Sequence, residues 1–150
     1  EGLGYAADLT GWKTDPVRRP GIVASVHAYA WFHPAGQSQG AYEAQMDAKA
    51  GYLVTQGIAP LWAGEFGANT DVPLAQMQTG WLPQFITWAA KRGLHWCWWE
   101  LSATAVKGTE PATNQVKVQA GQREAFSLLA GQDWNGTQSD LLAMLAPIMP

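Results

Sequence analysis

The side chains best placed to do chemistry begin with Gly64-Glu65-Phe66-Gly67, where a carboxylate follows directly on an apolar run. The flanking glycines let backbone or a bound molecule approach closely. A carboxylate fixed in this way and kept anionic can attack an electrophilic carbon, such as the anomeric carbon of a sugar, and form a covalent intermediate. An ordinary loop glutamate would leave the same short trace, so its company has to decide. That company includes His27-Ala28-Tyr29. Residues two apart on an extended chain project to the same side, so imidazole and phenol would enter one cleft together. A tyrosine hydroxyl can donate to a carboxylate, orienting it and keeping it ionised. The His27 ring can bond substrate hydroxyls or shape the proton network.

Trp98-Trp99-Glu100 ends a third apolar run. Adjacent side chains on a strand face opposite ways, so only one of the two indoles can serve as a platform for a sugar ring. Trp99 is the expected one, because it reaches the strand mouth at a depth comparable with Glu65. Trp31, just beyond the His-Tyr pair, is expected to line a further subsite or to pack its loop. Glu100 is the alternative carboxylate near the site. His33 and His95 read as capped or solvated side chains.

Other chemistries find little support. The three histidines are scattered without an HExxH spacing, which argues against a zinc hydrolase, and no GxSxG elbow marks an esterase. Asp133-Trp134-Asn135-Gly136 reads as a turn-rich loop, since the EF-hand spacing is absent. With a formal net charge of -3 and 14% charged residues, the chain lacks the basic footprint that nucleic acid or an anionic membrane requires. Nine Trp, four Tyr and four Phe instead favour neutral partners with flat apolar faces, although most of these rings should be core.

A hydrophobic content of 47% over 150 residues suffices for one globular domain. The lone Cys97 excludes an intrachain disulfide framework and is expected to be a small buried hydrophobe. No apolar run is long enough to span a membrane, and no basic-then-apolar leader appears. The start at Glu1 without Met suggests a processed or truncated chain. Asn135-Gly136-Thr137 fits a glycosylation sequon, which matters only in a eukaryotic secreted protein.

Three apolar runs, residues 21–26, 58–63 and 94–99, lack clean alternation and read as parallel strands covered on both faces. Tyr42, Met46, Ala50 and Leu53 mark an amphipathic helix beginning after Ser38-Gln39-Gly40 and stopping at Gly57. Met77, Trp81, Phe85 and Trp88 mark a second helix, closed by Lys91-Arg92-Gly93, whose cations and glycine suit a helix C-terminus. A third helix, Gln138 to Leu145, should end at Pro147. Such consecutive βαβ units build either an open doubly wound sheet or an arc of a barrel. No GxGxxG or P-loop supports a nucleotide-binding sheet, whereas His27, Tyr29, Glu65 and Trp99 all fall at strand ends, the catalytic face of a (β/α)₈ barrel. The expected fold is therefore a partial (β/α)₈ barrel, with the whole chain forming its C-terminal half.

His27-Ala28-Tyr29, Gly64-Glu65-Phe66-Gly67 and the Trp-rich run ending at Trp99, in that order with a helix between each, resemble glycoside hydrolase family five, a clan A group with many cellulases. The resemblance spans roughly residues 1 to 147. It implies Glu65 as nucleophile on the seventh barrel strand, His27 and Tyr29 as the active-site pair on the sixth, and Trp99 as the platform on the eighth. Glu1-Gly2 would then be the tail of the fifth. The family's acid/base glutamate follows an asparagine on the fourth strand, and no Asn-Glu dipeptide occurs here. Its early-strand arginine also falls outside this segment. The asparagine that many members carry after the eighth strand is replaced near Ser102, and a long insert, Ala103 to Gln122, stands where they have a short loop.

What the resemblance implies is a secreted, retaining endo-β-1,4-glucanase that needs neither metal nor organic cofactor. Its partners would be a β-glucan or related polysaccharide and the N-terminal half of the same barrel, present as a missing segment or separate chain and supplying the acid/base glutamate. Taken alone, the chain should be inactive. A mannanase, a β-1,3-glucanase and a non-catalytic carbohydrate-binding fragment are the alternatives, because specificity lies in loops rather than in these motifs.

Overall fold

The computed structural model describes residues 6–68, 79–101, 127–129 and 136–149, together with the backbone of 106–109 and 116–118. Three strands, β1 (Ala24–Ala28), β2 (Leu61–Phe66) and β3 (His95–Trp98), form a parallel sheet in the order β1-β2-β3, so β2 is central. The first two strands lie further along the chain than the apolar runs predict. Gly21 adopts φ 76°, a turn conformation, and Pro60 has no N–H to donate to a ladder, although its carbonyl accepts from Ala24 N at 2.9 Å and so starts the pairing. Glu65 consequently lies within β2 rather than after it.

Coverage of the sheet is one-sided among the described residues, where the sequence suggested two. Val26, Ala28, Ala63 and Phe66 are fully buried, while Ser25, Trp62, His95 and Cys97 are exposed on the other face. Cys97 is thus not a buried hydrophobe: strand alternation sends Trp96 and Trp98 toward the core and leaves the thiol on the open face.

Helix α2 (Gln39–Met46) is capped by Ser38, whose Oγ accepts from Ala41 N at 3.3 Å. It runs through a π-helical stretch, Asp47–Gly51, into α3 (Tyr52–Thr55), burying Tyr42, Met46, Ala50 and Leu53 as their spacing predicts. The short helix α1 (Gly11–Thr14) precedes β1. Helix α4 (Trp81–Arg92) buries Leu82, Phe85, Ile86, Trp88 and Ala89 and ends at Gly93 with φ 60°. Met77, expected on its stripe, lies outside the described residues. Helix α5 (Ser139–Leu145) follows Gln138 and ends at Leu145 as expected, and the chain then tightens into a 3₁₀ turn, Ala146–Ile148, where a proline near the start loses no needed donor. Strands β4 (Val106–Thr109) and β5 (Val116–Val118) form an antiparallel pair inside the stretch expected as loop. Glu1-Gly2, Ser102 and residues 133–135 lie outside the description. No described helix is long and apolar enough to cross a membrane.

Several polar links tie the two long helical elements that cover the sheet, among them Lys91 with Glu43, and one is centred on Asp47. The Asp47 carboxylate accepts from Trp88 Nε1 at 2.9 Å and Arg92 Nε at 3.0 Å, and pairs also with Arg92 Nη2. Gly51 makes room for it: a Cβ there would lie 2.3 Å from Asp47 Oδ1 and 3.2 Å from a Trp88 ring carbon. Because the carboxylate is already held by two partners, it cannot simply swing away. Gly51→Ala should therefore lower stability by about 1–3 kcal/mol, read as an earlier denaturant midpoint. Asp47→Ala, which strands the Trp88 donor, should cost a similar amount. The double variant should cost clearly less than the sum, since both changes remove the same link.

Candidate active site

Glu65 reaches the open face through an irregularity of its strand. Between Val26 and His27 the register of β1 moves from Ala63 to Glu65, skipping Gly64. The pairing with β3 slips over the same stretch, from Ala63↔Trp96 to Phe66↔Trp98. Strand β2 thus carries one residue more than either neighbour, a β-bulge of the kind that re-aims side chains. Ala63 and Phe66 both point into the core, yet the two residues between them, Gly64 and Glu65, are half-exposed. Gly64 has Ser25 Oγ in the space a Cβ would take, at 2.1 Å, with His27 Nε2 at 3.4 Å from the same point.

Tyr29 follows β1 with extended backbone, φ -142° and ψ 154°, so the alternation of the strand continues through it. His27 and Tyr29 therefore reach the same carboxylate. Tyr29 Oη donates to Glu65 Oε2 at 3.2 Å, and His27 Nδ1 lies 3.6 Å from that oxygen. Burial pushes the Tyr29 hydroxyl well above the usual phenol range, and the negative charges of Glu65 and Glu100, with the hydrogen bond to Glu65, push it further. The phenol thus stays a proton donor throughout the range in which a carboxylate is charged. Glu100 belongs to this electrostatic neighbourhood, and its carbonyl accepts from Leu128 N at 3.0 Å.

The aromatic candidates divide as strand geometry requires. Trp98 packs edge-on to Phe66 with centroids 5.2 Å apart, while Trp99 is 48% exposed and its backbone N–H donates to Phe66 O at 2.8 Å, alongside the Glu65 segment. The peptide joining Trp99 to Glu100 is cis. Trp31 is not packed away inside its loop. It is 62% exposed and lies flat on Tyr29, with centroids 4.4 Å apart and planes 8° off parallel. His95 is exposed. His33 is capped by Gln45 at 3.0 Å and wedged against Tyr42 and Trp81, and burial lowers its pKa, so it stands apart from this cluster.

Sequence reading overlooked the bulge and the Tyr29–Trp31 stack. The sole trace of the first is Gly64 before Glu65, and of the second the spacing of two between rings across Ala30. A separate cavity of about 810 Å³, lined by Val23, Leu61, Trp62, Leu94 and Ile148 among others, opens at the opposite ends of the strands. Its lining is mainly apolar and it does not include Glu65.

Fold and site together define an arc of a parallel α/β architecture with a carboxylate centre at the C-terminal ends of its strands. The chain belongs to glycosyl hydrolase family 5: that family's cellulase profile matches residues 1–105. Among solved structures it is similar to an endocellulase from Pyrococcus horikoshii in complex with cellotetraose, at 18% identity and a TM-score of 0.68 over 96% of this chain and 36% of that one. It is also similar to a β-glucanase from Saccharophagus degradans, solved with cellotetraose, at 20% identity and a TM-score of 0.61 over 95% of this chain and 37% of that one. The chain thus spans little more than a third of the length of these structures. No curated protein matches it.

The site makes one electrostatic prediction. In Glu65→Gln the nearest negative charge disappears from beside Tyr29, while burial and the Glu100 charge remain. The phenol should then titrate lower than in the unaltered protein but still above 10.0, followed by NMR of ring-labelled tyrosine.

Proposed function

We propose that this chain forms the nucleophile side of a retaining endo-β-1,4-glucanase. The observation that carries the reading is Glu65 Oε2 held between Tyr29 Oη at 3.2 Å and His27 Nδ1 at 3.6 Å on the central strand. Tyr29 donates to that oxygen and the His27 ring faces it, which leaves the other carboxylate oxygen as the one assigned to attack. In the first step that oxygen bonds the anomeric carbon as the bond to the departing sugar oxygen breaks, and a carboxylic acid protonates the leaving oxygen. In the second, the same group, now a carboxylate, takes a proton from water, whose oxygen displaces Glu65 and restores the original configuration.

The acid/base is assigned to a glutamate of a further barrel segment, covalently continuous with this chain or separate. Retaining enzymes place the two carboxyls roughly 5 Å apart, so that segment has to close over the open face bearing Trp62, Cys97 and Trp99. That requirement is supported by the one-sided coverage of the sheet and by the greater length of the structures it resembles. Trp99 is the platform beneath the sugar at the cleavage point, and Trp31 lines a further subsite. The two structures described above were solved with cellotetraose, which favours a β-glucan as substrate, and a polymeric substrate of that class points to work outside the cell. No step calls for a metal or organic cofactor.

Glu65→Gln in the complete protein should lower turnover on soluble β-glucan by at least about a thousandfold. Unchanged turnover would exclude Glu65 as nucleophile and favour a non-catalytic carbohydrate-binding role. Trapping with a 2-fluoro glycoside and mapping the labelled peptide should find the adduct on Glu65, and an adduct on Glu100 would overturn the assignment. Reducing-sugar release compared across cellulose, mannan and laminarin should be greatest on the β-1,4-glucan, with mannan or laminarin preferred if the chain is instead a related β-glycanase.

A further inference from the structure

The hydrogen bond from Tyr29 to Glu65 is long for one between a hydroxyl and a carboxylate, at 3.2 Å, so a small swing of the phenol ring breaks it. What restrains that swing is the segment directly after the tyrosine. The 3₁₀ turn Ala30–Phe32, closed by Phe32 N donating to Tyr29 O at 3.0 Å, folds the chain back over the residue that begins it. Trp31 comes down flat on the phenol at 4.4 Å, and Phe32 meets both rings edge-on, with centroids 6.1 Å from Tyr29 and 5.8 Å from Trp31. Tyr29 is left only 7% exposed while Trp31 is 62% exposed.

An indole so exposed adds little to the core, yet it covers the ring that orients the carboxylate. We propose that Trp31 is a positioning residue, whose flat contact with Tyr29 holds the phenol at the angle from which it donates to Glu65. This role is additional to any contact Trp31 makes with substrate, and it acts wholly through Tyr29. It deepens the reading of Glu65 as nucleophile and rests on it for its effect on turnover, but not for its effect on the phenol. The cover also keeps water from the ring, and the charged or titratable groups facing that ring are Glu65 from β2, Glu100 beyond β3 and, beside Glu65, His27 from β1.

Two substitutions and two readouts test the proposal. Trp31→Ala removes the cover, whereas Trp31→Phe keeps a flat ring over Tyr29. An activated aryl glycoside carrying a single sugar occupies only the cleavage point, so loss of a distant subsite does not register with it. Its kcat should fall about tenfold in Trp31→Ala, the ratio expected when one donor to a carboxylate is lost, with KM little changed and the rate largely restored in Trp31→Phe. The Tyr29 phenol, followed by ring-label NMR, should titrate closer to the ordinary tyrosine range in Trp31→Ala and return in Trp31→Phe. An unchanged Tyr29 titration in Trp31→Ala would overturn the proposal, as would an unchanged kcat in a protein whose Glu65 traps the 2-fluoro sugar. The titration needs no turnover, so it judges the stack even if the nucleophile assignment fails.

Discussion

Everything at the site depends on one additional residue in the central strand. A regular strand alternates its side chains, and Phe66, the neighbour of Glu65, is buried in the core with its ring 4.4 Å from that of Phe85. Running back from Phe66, strict alternation would set Glu65 on the open face and Gly64 inside. Running forward from buried Ala63, it would set Gly64 on the open face and the glutamate inside. The bulge satisfies both ends at once, because the slip falls between two apolar anchors and spends itself on Gly64, the residue with no side chain to misplace. Ser25 then uses the space that glycine leaves.

The anchors are themselves well held. Phe66 meets Trp96 and Trp98 edge-on, at 5.4 and 5.2 Å, so the strand segment bearing the carboxylate is gripped by its neighbour β3 as well as by α4 beneath it. The Asp47 link from the π-helical stretch to Trp88 and Arg92 locks the helices that form this floor. The strand bearing the carboxylate and the helical layer thus meet at the contact of Phe66 with Phe85. The phenol just beyond β1 meets the carboxylate from the other side, guided by the extended backbone at Tyr29.

Much of this arrangement was legible in the chain. Parallel strands, the stripes Tyr42-Met46-Ala50-Leu53 and Trp81-Phe85-Trp88 and the Gly93 stop all follow from spacing and turn chemistry, and all are present, while the first stripe's helix starts at Gln39, inside the Ser38-Gln39-Gly40 run expected to precede it. That His27 and Tyr29 project to the same side followed from alternation, whereas their meeting with Glu65 also needs the bulge. Strand limits did not, because hydrophobicity marks where apolar residues lie, whereas Gly21 and Pro60 decide where a ladder begins. Nor did the exposure of Cys97, since burial depends on whether anything covers the second face, and a run such as His95-Trp96-Cys97-Trp98 is equally suited to one covered face or two. The bulge and the stack are relations between strands and rings, which one-dimensional spacing does not encode.

The one-sided coverage gives the only thiol of the chain a particular use. Cys97 stands one strand over from Glu65, on the face left open, with a side chain small enough to tolerate a reporter. Its reaction with a maleimide is then a native gauge of enclosure: fast while that face meets solvent, and slowed to the extent that other protein lies over it, with no mutation needed to install the probe.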